Sequence, residues 1–431
     1  MGSYIPAGDE ERQEMLTRCG VKSVDDFYEA VPVAMRLSKL DLPAGASELE
    51  TTRFVEGLAD KNLRLKSIFR GAGAYKHYIP ATVKSITAKE EFVTAYTPYQ
   101  AEISQGILQS IFEFQTMICD LTGLDVANAS VYDGATAAAE AIAMCREPKR
   151  DRAIVAAGIN PRALAVIKTY AFGNGMKIEC VETKDIAGKL GADVACVYLQ
   201  QPDFYGTIED AEAIGKAAHQ SGAKFVMGVN PIAAAIIKSA GECGADIAVG
   251  EGQPLGMPLA WGGPYLGFMA ATSAMMRKLP GRIVGETVDA AGNRAFVLTL
   301  QAREQHIRRE KASSNICSNQ NLCALTASVY MATMGTKGLT QVAESCYTNA
   351  HYLRDELAKV GFTHEDKGEF FHEFVTTSPV ATGPLLDTLA DAGILGGYRL
   401  DDNRLLWCAT ELNDKADIDN LIAVLRKAVA K

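Results

Sequence analysis

The first feature missing from this sequence is positive charge over a long interval: no lysine or arginine occurs between Ser239 and Met276. A metal-binding pattern is missing as well. The 10 cysteines and 6 histidines form no Cys-x-x-Cys pair and no cluster with metal-ligand spacing. Most of the cysteines have apolar neighbours, so we interpret them as small hydrophobic residues of a reduced protein and predict no metal site.

Long apolar runs and basic stripes are also missing. No hydrophobic segment is long enough to cross a bilayer, and the stretch from Met1 to Arg12 is polar with mixed charge, unlike a secretory signal. The formal net charge of −9 comes from acidic residues scattered along the chain. Such a distribution does not favour nucleic acid or an anionic membrane as a partner. We therefore expect a cytoplasmic protein that binds neither nucleic acid nor membrane.

Alternating strand and helix signals fill the middle of the chain. With 431 residues and 48% hydrophobic content, the chain can bury a large core. The alternation predicts a mostly parallel sheet that is covered on both faces. Strands are predicted at 153–157, 177–181, 195–199, 224–228 and 246–249. Helices are predicted near 103–121, 135–145, 161–172, 209–221 and 231–240.

These signals suggest three parts: an N-terminal helical arm at residues 1–65, a large α/β domain at 66–335 and a small C-terminal α+β domain at 336–431. A cluster of glycines and aromatic residues at 70–80 cannot form a regular helix, because its glycines and its final proline interrupt any helical period. We predict a surface or interface loop there.

The interval without lysine and arginine lies in an informative place. Residues 244–269 read as the strand, turn and glycine-rich hairpin that carry the Schiff-base lysine in pyridoxal-phosphate (PLP) enzymes. PLP requires an amine to hold its aldehyde and a cationic site for its phosphate. Asn230 follows the predicted strand 224–228, where such enzymes usually present an aspartate to the pyridine nitrogen. An uncharged asparagine cannot keep that nitrogen protonated, so a second requirement is unmet.

Lys238 is the only lysine or arginine between Lys224 and Arg277, so it has to be considered as a nucleophile. It falls on the predicted helix 231–240, before the strand that would have to precede a Schiff-base lysine. The favoured interpretation is a surface residue whose stem packs on apolar neighbours. An independent PLP enzyme that uses Lys238 is an alternative, and it predicts an internal-aldimine absorbance band from the isolated chain.

A polar segment directly precedes the long helix predicted at 103–121. Pro98 fixes its backbone, so its polar side chains would be held at a helix N-terminus, where anions and substrates are readily bound. Capping and turn chemistry is the alternative interpretation. The candidate binding residues of this segment are Tyr96, Tyr99, Gln100 and Glu102.

Two further segments carry polar side chains. Residues 128–136 also precede a helix, and they form either a loop that cradles a phosphate on backbone amides or an ordinary Asp-Gly turn. The densely charged segment 301–315 is either a solvated helix with paired charges or a patch that steers an anion or docks a partner. Its candidate residues are Arg303, His306 and Arg309.

Several motifs resemble the glycine cleavage system P-protein family of PLP-dependent glycine dehydrogenases (decarboxylating). The similarity is to the N-terminal half of the long single-chain form, or equivalently to the first (α) subunit of the two-subunit bacterial form. Laying residues 244–246 on the family's Gly-x-Asp segment places Pro254 near the position of the catalytic lysine. The motifs read YTPYQAEISQG at 96–106, TGLDVANAS at 122–130, TAAAEA at 136–141, GGP at 262–264 and REQHIRR at 303–309.

The resemblance implies a fold-type-I PLP-dependent transferase subunit, aspartate-aminotransferase-like, that itself holds no PLP. Its large domain would contain a mostly parallel seven-stranded sheet. The chain would be one subunit of glycine dehydrogenase (aminomethyl-transferring), inactive alone and joined in an α2β2 assembly to the PLP-bearing subunit 2 (β). The assembly would decarboxylate glycine and pass the aminomethyl group to the lipoyl arm of H-protein.

In a pseudosymmetric pair of such folds, each subunit places loops at the edge of the other's site. The candidate residues of segments 96–106 and 301–315 would then contribute to the partner's site, while no residue of this chain would be catalytic alone. A purely structural or regulatory pseudoenzyme of the same fold is an alternative. It would tolerate loss of the side chains at 96–106.

Overall fold

The structure is a computed structural model that describes residues 7–37, 39, 41–365 and 368–430 of the chain. The chain divides into two compact units, of which the first ends at Leu63 and the second begins at Arg64. The predicted arm and the predicted small domain each include a few positions outside the described residues. The three domain boundaries drawn from the sequence stay predictions.

The first unit is built from short helical segments. Its helices are α1 (Asp9–Arg18) and α2 (Glu48–Ala59), with 3-10 turns at Val24–Tyr28 and Val33–Met35. Helix α2 begins at a capping box, because the Glu50 carboxylate accepts the Ser47 N–H at 2.8 Å and the Ser47 hydroxyl accepts the Glu50 N–H at 3.3 Å. Helix α1 buries Leu16, and α2 buries no side chain.

The second unit contains the strands of the molecule. They are β1 (Ser67–Ile68), β2 (Val126–Ala127), β3 (Arg152–Ala156), β4 (Lys177–Val181), β5 (Val194–Gln201), β6 (Lys224–Val229), β7 (Ile247–Glu251), β8 (Gly267–Ala271), β9 (Ile283–Val288), β10 (Arg294–Thr299), β11 (Thr363–His364), β12 (Glu373–Thr377), β13 (Ile394–Leu395), β14 (Tyr398–Arg399) and β15 (Arg404–Cys408). The five strands predicted from the sequence are all present, with bounds that agree to within two residues.

Its helices alternate with the first strands, as the sequence predicts. They are α3 (Ala81–Thr87), α4 (Glu90–Val93), α5 (Gln105–Thr122), α6 (Gly134–Met144), α7 (Pro161–Asn174), α8 (Ile186–Lys189), α9 (Ala211–Gln220), α10 (Gln305–Arg308), α11 (Asn321–Ala358), α12 (Thr382–Asp391) and α13 (Lys415–Val429).

A seven-stranded sheet with the order β2-β8-β7-β6-β5-β3-β4 forms the centre of this unit. Strands β4, β3, β5, β6 and β7 run parallel, whereas β8 is antiparallel to both β7 and β2. The parallel strands β3, β5 and β6 are buried almost without interruption, as expected for a sheet that has helices on both faces. The prediction of a mostly parallel sheet is confirmed.

The prediction of a helix at 231–240 is wrong. Only a 3-10 turn at Ala233–Ala235 forms there, and the chain then bends towards the end of α5. Gly241 approaches this helix so closely that a Cβ atom at 241 would lie 2.1 Å from the carbonyl oxygen of Gly123. Tertiary packing therefore overrides the helix propensity of the alanine-rich sequence.

Strands β9 and β10 form a hairpin that packs on α5. Two glutamines of α5 fix it, because each side chain pairs with the backbone of one strand. Gln105 accepts from the N–H of Phe296 at 2.8 Å and donates to its carbonyl at 2.9 Å. Gln115 makes the same pair of bonds with Val284, both at 2.9 Å. The start of β9 is therefore held rigidly beside the long helix.

The C-terminal part is an α+β layer. Helix α11 is interrupted at Gly335, whose φ of 59° and ψ of 179° are not helical, so it consists of two consecutive helices. A four-stranded sheet with the order β11-β12-β15-β14 follows. Trp407 of β15 is fully buried in its core and donates from Nε1 to the Thr376 hydroxyl at 2.9 Å.

Among the described residues, no helix is both long and apolar enough to cross a membrane.

Candidate functional site

A cavity of about 290 Å³ opens at the carboxyl ends of the parallel strands. Residues that end β6 and β7 or follow β5 line one side, and residues at the N-terminal ends of α6 and α7 line another. Ligand sites in open α/β sheets usually lie at this edge. Asn230 and Pro254 both line the cavity, so the structure brings together the two residues that were predicted near a vacated cofactor position.

The cavity contains little positive charge. Arg162 is the only lysine or arginine among the described residues that line it. The Lys238 side chain is 66% exposed, and its Nζ lies 2.6 Å from the Glu212 carboxylate. This carboxylate raises the pKa of Lys238, whereas an amine nucleophile needs a lowered pKa. Lys238 is thus a surface ion-pair partner, and the alternative of an independent PLP enzyme loses its nucleophile.

A carboxylate of the chain itself occupies the N-terminus of helix α6. Glu251 accepts the Gly134 N–H at 3.0 Å with Oε2, and the N–H groups of Gln253 and Leu266 at 2.9 and 3.1 Å with Oε1. Glycine is required at 134, because a Cβ atom there would lie 2.8 Å from the backbone nitrogen of Glu251. Burial raises the pKa of Glu251 to about 7.

This contact decides between the two interpretations of residues 128–136. The N-cap of α6 is Asp133, whose carboxylate accepts the Thr136 N–H at 2.7 Å. With Asp133 and Glu251 both in place, the helix N-terminus already has its anions, since negative groups are stabilised at this end of a helix. The capping turn is therefore favoured over a phosphate cradle.

A second carboxylate fastens the glycine-rich loop 70–80 to the cavity wall. Glu373 accepts the Ala72 N–H at 2.6 Å with Oε1 and the Tyr75 hydroxyl at 2.6 Å with Oε2. Gln253 holds the same loop by accepting the Tyr75 N–H at 2.9 Å and donating to its carbonyl at 2.8 Å. The segment is a loop, as predicted, with Tyr78 exposed, and its residues Gly73 and Tyr75 form part of the cavity wall. Burial raises the pKa of Glu373 to about 7.

Asp203 is the fourth carboxylate that lines the cavity, beside Asp133, Glu251 and Glu373. Its Oδ1 accepts the N–H groups of Tyr205 and Thr207 at 2.9 and 2.8 Å, and burial raises its pKa to about 7. The cavity is therefore acidic, in contrast to a site that balances a phosphate.

The residues of the cavity do not fit PLP. None of the described residues that line the cavity supplies an amine to hold the aldehyde, and the position at the α6 N-terminus is filled by Glu251. The Asn230 side-chain oxygen accepts the N–H groups of Ile232 and Ala233 at 2.9 and 3.2 Å. Asn230 thus caps a turn and carries no charge that would balance a pyridinium.

Close to the start of β9, the structure brings together two of the candidate site residues, Tyr99 and Arg303. Tyr99 accepts a hydrogen bond from Arg282 Nη2 at 2.9 Å, and the Arg282 guanidinium lies 5.1 Å from the centre of the Tyr99 ring. Arg303 donates from Nη2 to the Gly281 carbonyl at 2.9 Å. Tyr99 and Arg303, which are far apart in sequence, therefore contact consecutive residues.

Other predicted residues lie on the surface without converging. Tyr96 is 87% exposed, and Gln100 and Glu102 are exposed as well. His306 lies 3.3 Å from the buried Glu304 carboxylate, and Arg309 has a positive φ of 54°.

The helix considered for 301–315 is absent as a continuous element. Three single turns replace it, at Gln301–Arg303, Gln305–Arg308 and Arg309–Lys311. Left-handed backbone at Leu300 and Arg309 separates them from a regular helix.

One group of metal-ligand residue types was not found from sequence spacing. The ligand atoms of His77, Cys346 and Glu411 lie within 4.8 Å of one another. The Glu411 carboxylate lies 2.8 Å from His77 Nδ1 and accepts the Tyr78 N–H at 2.6 Å and the Cys346 thiol at 3.4 Å. Glu411 therefore fastens residues 77–78 of the loop, just as Glu373 fastens residues 72–75.

Comparison with known proteins identifies the family. Residues 2–425 match the model of the glycine cleavage system P-protein. The chain belongs to this family. It is 48% identical to the probable glycine dehydrogenase (decarboxylating) subunit 1 of Moorella thermoacetica, over 99% of this chain and 100% of that protein. The corresponding protein of Desulforamulus reducens is also 48% identical, over 98% and 99% of the two chains.

Solved structures agree with this assignment. The crystal structure of glycine decarboxylase (P-protein) of the glycine cleavage system, in inhibitor-bound form, superimposes with a TM-score of 0.94 at 40% identity, over 99% of this chain and 100% of that one. Aspartate aminotransferase from Thermus thermophilus shares the fold alone, with a TM-score of 0.59 at 14% identity over 85% and 99% of the chains. The fold-type-I prediction is confirmed for this P-protein family member.

Sequence reasoning missed Glu251, Glu373 and Arg282. Glu251 carries a signal that could have been used, because it follows the strand predicted at 246–249 and lies between two glycines at the edge where sites form. Glu373 carries none, since its contacts with Ala72 and Tyr75 join residues about 300 positions apart. Arg282 has only the Pro-Gly turn before it as a sign of a special position.

Proposed function

We propose that this chain is the subunit of glycine dehydrogenase (decarboxylating) that does not bind PLP. It acts with a PLP-bearing P-protein subunit 2 to decarboxylate glycine and to transfer the aminomethyl group to the lipoyl arm of H-protein. The observation that carries the proposal is the acidic cavity, in which Glu251 occupies the α6 N-terminus and the lining, as far as the structure describes it, contains no lysine. A family member with such a cavity needs a second chain to supply the cofactor.

Electrostatics supports this division of labour. The phosphate of PLP would have to enter a cavity lined by four carboxylates and one guanidinium. Like charges within a few ångströms repel strongly when they are shielded from water. The arrangement therefore favours protonated or hydrogen-bonded carboxyl groups that hold loops together, and it disfavours a phosphorylated cofactor.

The exposed side chains at 96–102 support a contribution to the partner's site. They precede α5, which the β9–β10 hairpin and the sheet hold in place, so the loop is presented by a rigid scaffold. Loops on rigid scaffolds are where binding residues concentrate. In the proposed α2β2 assembly, this loop lines the approach to the PLP of the partner, and His306 and Arg309 help to dock that region. The candidates are Tyr96, Tyr99, Gln100 and Glu102.

The experiment is to purify the chain alone, a candidate subunit 2 alone and the two together. PLP content and glycine–carbon dioxide exchange are then measured for each sample. We expect PLP in subunit 2 and in the complex but not in this chain, and exchange activity above background only in the complex. Full activity or a borohydride-reducible band from this chain alone would contradict the proposal.

A structural or regulatory pseudoenzyme is the second candidate function, favoured by the closed set of hydrogen bonds in the cavity. Alanine replacements at Tyr96, Tyr99, Gln100 and Glu102 distinguish the two. A contribution to the partner's site predicts loss of exchange activity in a complex that still assembles. A structural subunit predicts unchanged activity. Lys238→Ala is the matched control, because its side chain pairs with Glu212 at the surface.

A further inference from the structure

We propose that Tyr99 and Arg282 form a recognition element for an oxyanion in the partner's site, with the Tyr99 hydroxyl as the donor and Arg282 as the residue that positions it. The ligand class is a carboxylate or a phosphate group. The inference rests on the proposed function, because the oxyanion belongs to the site of the PLP-bearing subunit.

The first observation is a buried cation without an anion. Arg282 is 5% exposed, and its guanidinium donates only to neutral groups, at 2.9 Å to the Tyr99 hydroxyl and at 3.3 Å to the Asn319 side-chain oxygen. Its Nε has no hydrogen-bond partner. Within the described part of the chain, no carboxylate forms an ion pair with it. A buried guanidinium normally pairs with an acid, since an uncompensated buried charge is unfavourable.

The second observation is the direction of the Tyr99 hydrogen bond. A phenol hydroxyl carries one hydrogen, and Arg282 uses the oxygen as an acceptor, so that hydrogen is free to be donated elsewhere. No described residue accepts it. The Tyr99 side chain is 48% exposed, although its neighbour Pro98 is buried. The phenol therefore offers a donor to an acceptor outside the chain.

The surroundings of the pair also favour a negatively charged acceptor. Arg303, a second guanidinium, holds the Gly281 carbonyl directly before Arg282, and its Nη1 is buried without a partner. Arg303 likewise forms no ion pair among the described residues. Asn319 connects Arg282 to the Ser130 hydroxyl at 3.1 Å and keeps the guanidinium in place. The Arg282 guanidinium, which donates to the phenol oxygen, polarises the Tyr99 hydroxyl towards an oxyanion.

Two sources supply such an oxyanion in the proposed complex: the carboxylate of glycine and the phosphate of the partner's PLP. The test uses the assembled complex with the Tyr99→Phe variant, which keeps the ring and removes the donor. If the carboxylate is bound, the KM for glycine rises roughly tenfold or more, the scale of one hydrogen bond to a charged group, while PLP binding is unchanged. If the phosphate is bound, the complex loses its preference for PLP over pyridoxal, which lacks the phosphate.

The role of Arg282 is tested by a double-mutant cycle with Arg282→Met. Because Arg282 acts through the Tyr99 hydroxyl, its replacement changes the same parameter as Tyr99→Phe, and the change disappears when Tyr99 is already phenylalanine. A merely structural arginine would give additive effects. Arg294→Met is the matched control, since Arg294 also covers an aromatic ring, Phe296 at 4.9 Å, but pairs with the Glu286 carboxylate.

The outcomes separate this inference from the proposed function. An inactive wild-type complex overturns the proposed function, and this inference falls with it. An active wild-type complex in which Tyr99→Phe alters neither the KM for glycine nor the preference for PLP over pyridoxal overturns this inference alone. Additive effects of the two replacements overturn the positioning role of Arg282.

Discussion

The Glu251 carboxylate accepts a hydrogen bond from the Gly134 N–H at 3.0 Å, at the first residue of helix α6. A helix N-terminus is a natural place for an anion, and here the chain provides the anion itself. The contact joins the end of β7 to the start of α6. It therefore forms part of the cavity wall and stabilises the packing of β7 against α6.

Glu251→Gln should reduce the pH dependence of stability. Burial raises the pKa of Glu251 to about 7 from an ordinary value of 4.5, so the folded state binds its proton more tightly than the unfolded state. The tighter proton binding at Glu251 contributes stability that is fully present below pH 4.5 and is lost as the pH rises through 7. When the pH is raised from 5 to 8, the free energy of unfolding should fall in both proteins. The fall should be on the order of 2 kcal/mol smaller in the variant than in the wild type.

Urea unfolding at pH 5 and pH 8 measures this difference. The pKa values of Asp203 and Glu373 are also raised to about 7. The unfolding free energy of the variant should therefore still decrease with rising pH, but less steeply than that of the wild type. Glu212→Gln is the control, because the pKa of Glu212 is lowered to about 2 and its effect lies below this pH range. Equal slopes for the wild type and Glu251→Gln would refute the role of burial at Glu251.

Gly134→Ala should destabilise the fold by about 1–3 kcal/mol, the usual effect of forcing an extra carbon into a packed site. The new Cβ would lie 2.8 Å from both the nitrogen and the Cβ of Glu251, so β7 or α6 has to move. Thermal or urea unfolding measures the change. Gly173→Ala is the matched control, since its Cβ would meet nothing within 4 Å and alanine favours the helix. Equal effects of the two replacements would contradict close packing at Gly134.

The comparison of sequence and structure shows what local patterns can and cannot predict. The parallel strands were found because their apolar runs and their spacing are local signals. Asn230 was predicted near a vacated cofactor position because it follows the strand 224–228, and Pro254 because of the resemblance to the family. Both line the cavity, which lies where the carboxyl ends of the parallel strands meet. The prediction of a helix at 231–240 was wrong because the close approach of Gly241 to Gly123 is a tertiary contact, which a local pattern does not reveal.

The carboxylates that hold the loop 70–80 lie beyond such patterns. Glu373 and Glu411 reach residues 72–78 across most of the chain, and no periodicity connects these segments. Arg282 is similar, because an arginine after a Pro-Gly turn is normally expected at the surface. What was missed is therefore the set of contacts between distant segments, of which only those of Glu373 lie at the cavity.

Tyr75→Phe should destabilise the protein by about 1–3 kcal/mol at pH 8, because it leaves the buried Glu373 carboxylate without its hydroxyl donor. Amide hydrogen exchange at Ala72 should accelerate as the loop 70–80 loosens. Tyr352→Phe is the control, since its hydroxyl donates to the exposed Asp419 carboxylate and its loss should change stability by less than about 0.5 kcal/mol. A loop that exchanges at the wild-type rate in Tyr75→Phe would show that the Tyr75 hydroxyl is not needed to hold it, and that the bonds of Gln253 and of Glu373 to the backbone suffice.

Pro254→Lys should not convert this chain into a PLP-binding protein. The new amine would meet one requirement of the cofactor, but Glu251 would still occupy the α6 N-terminus and Asn230 would still lack a charge. We therefore expect no borohydride-reducible absorbance band after incubation with PLP. The double variant Pro254→Lys with Glu251→Gln removes one negative charge, and any weak band should appear only there. A stable band from Pro254→Lys alone would mean that the lysine was the only missing element, and the acidic cavity would then lose its part in excluding the cofactor.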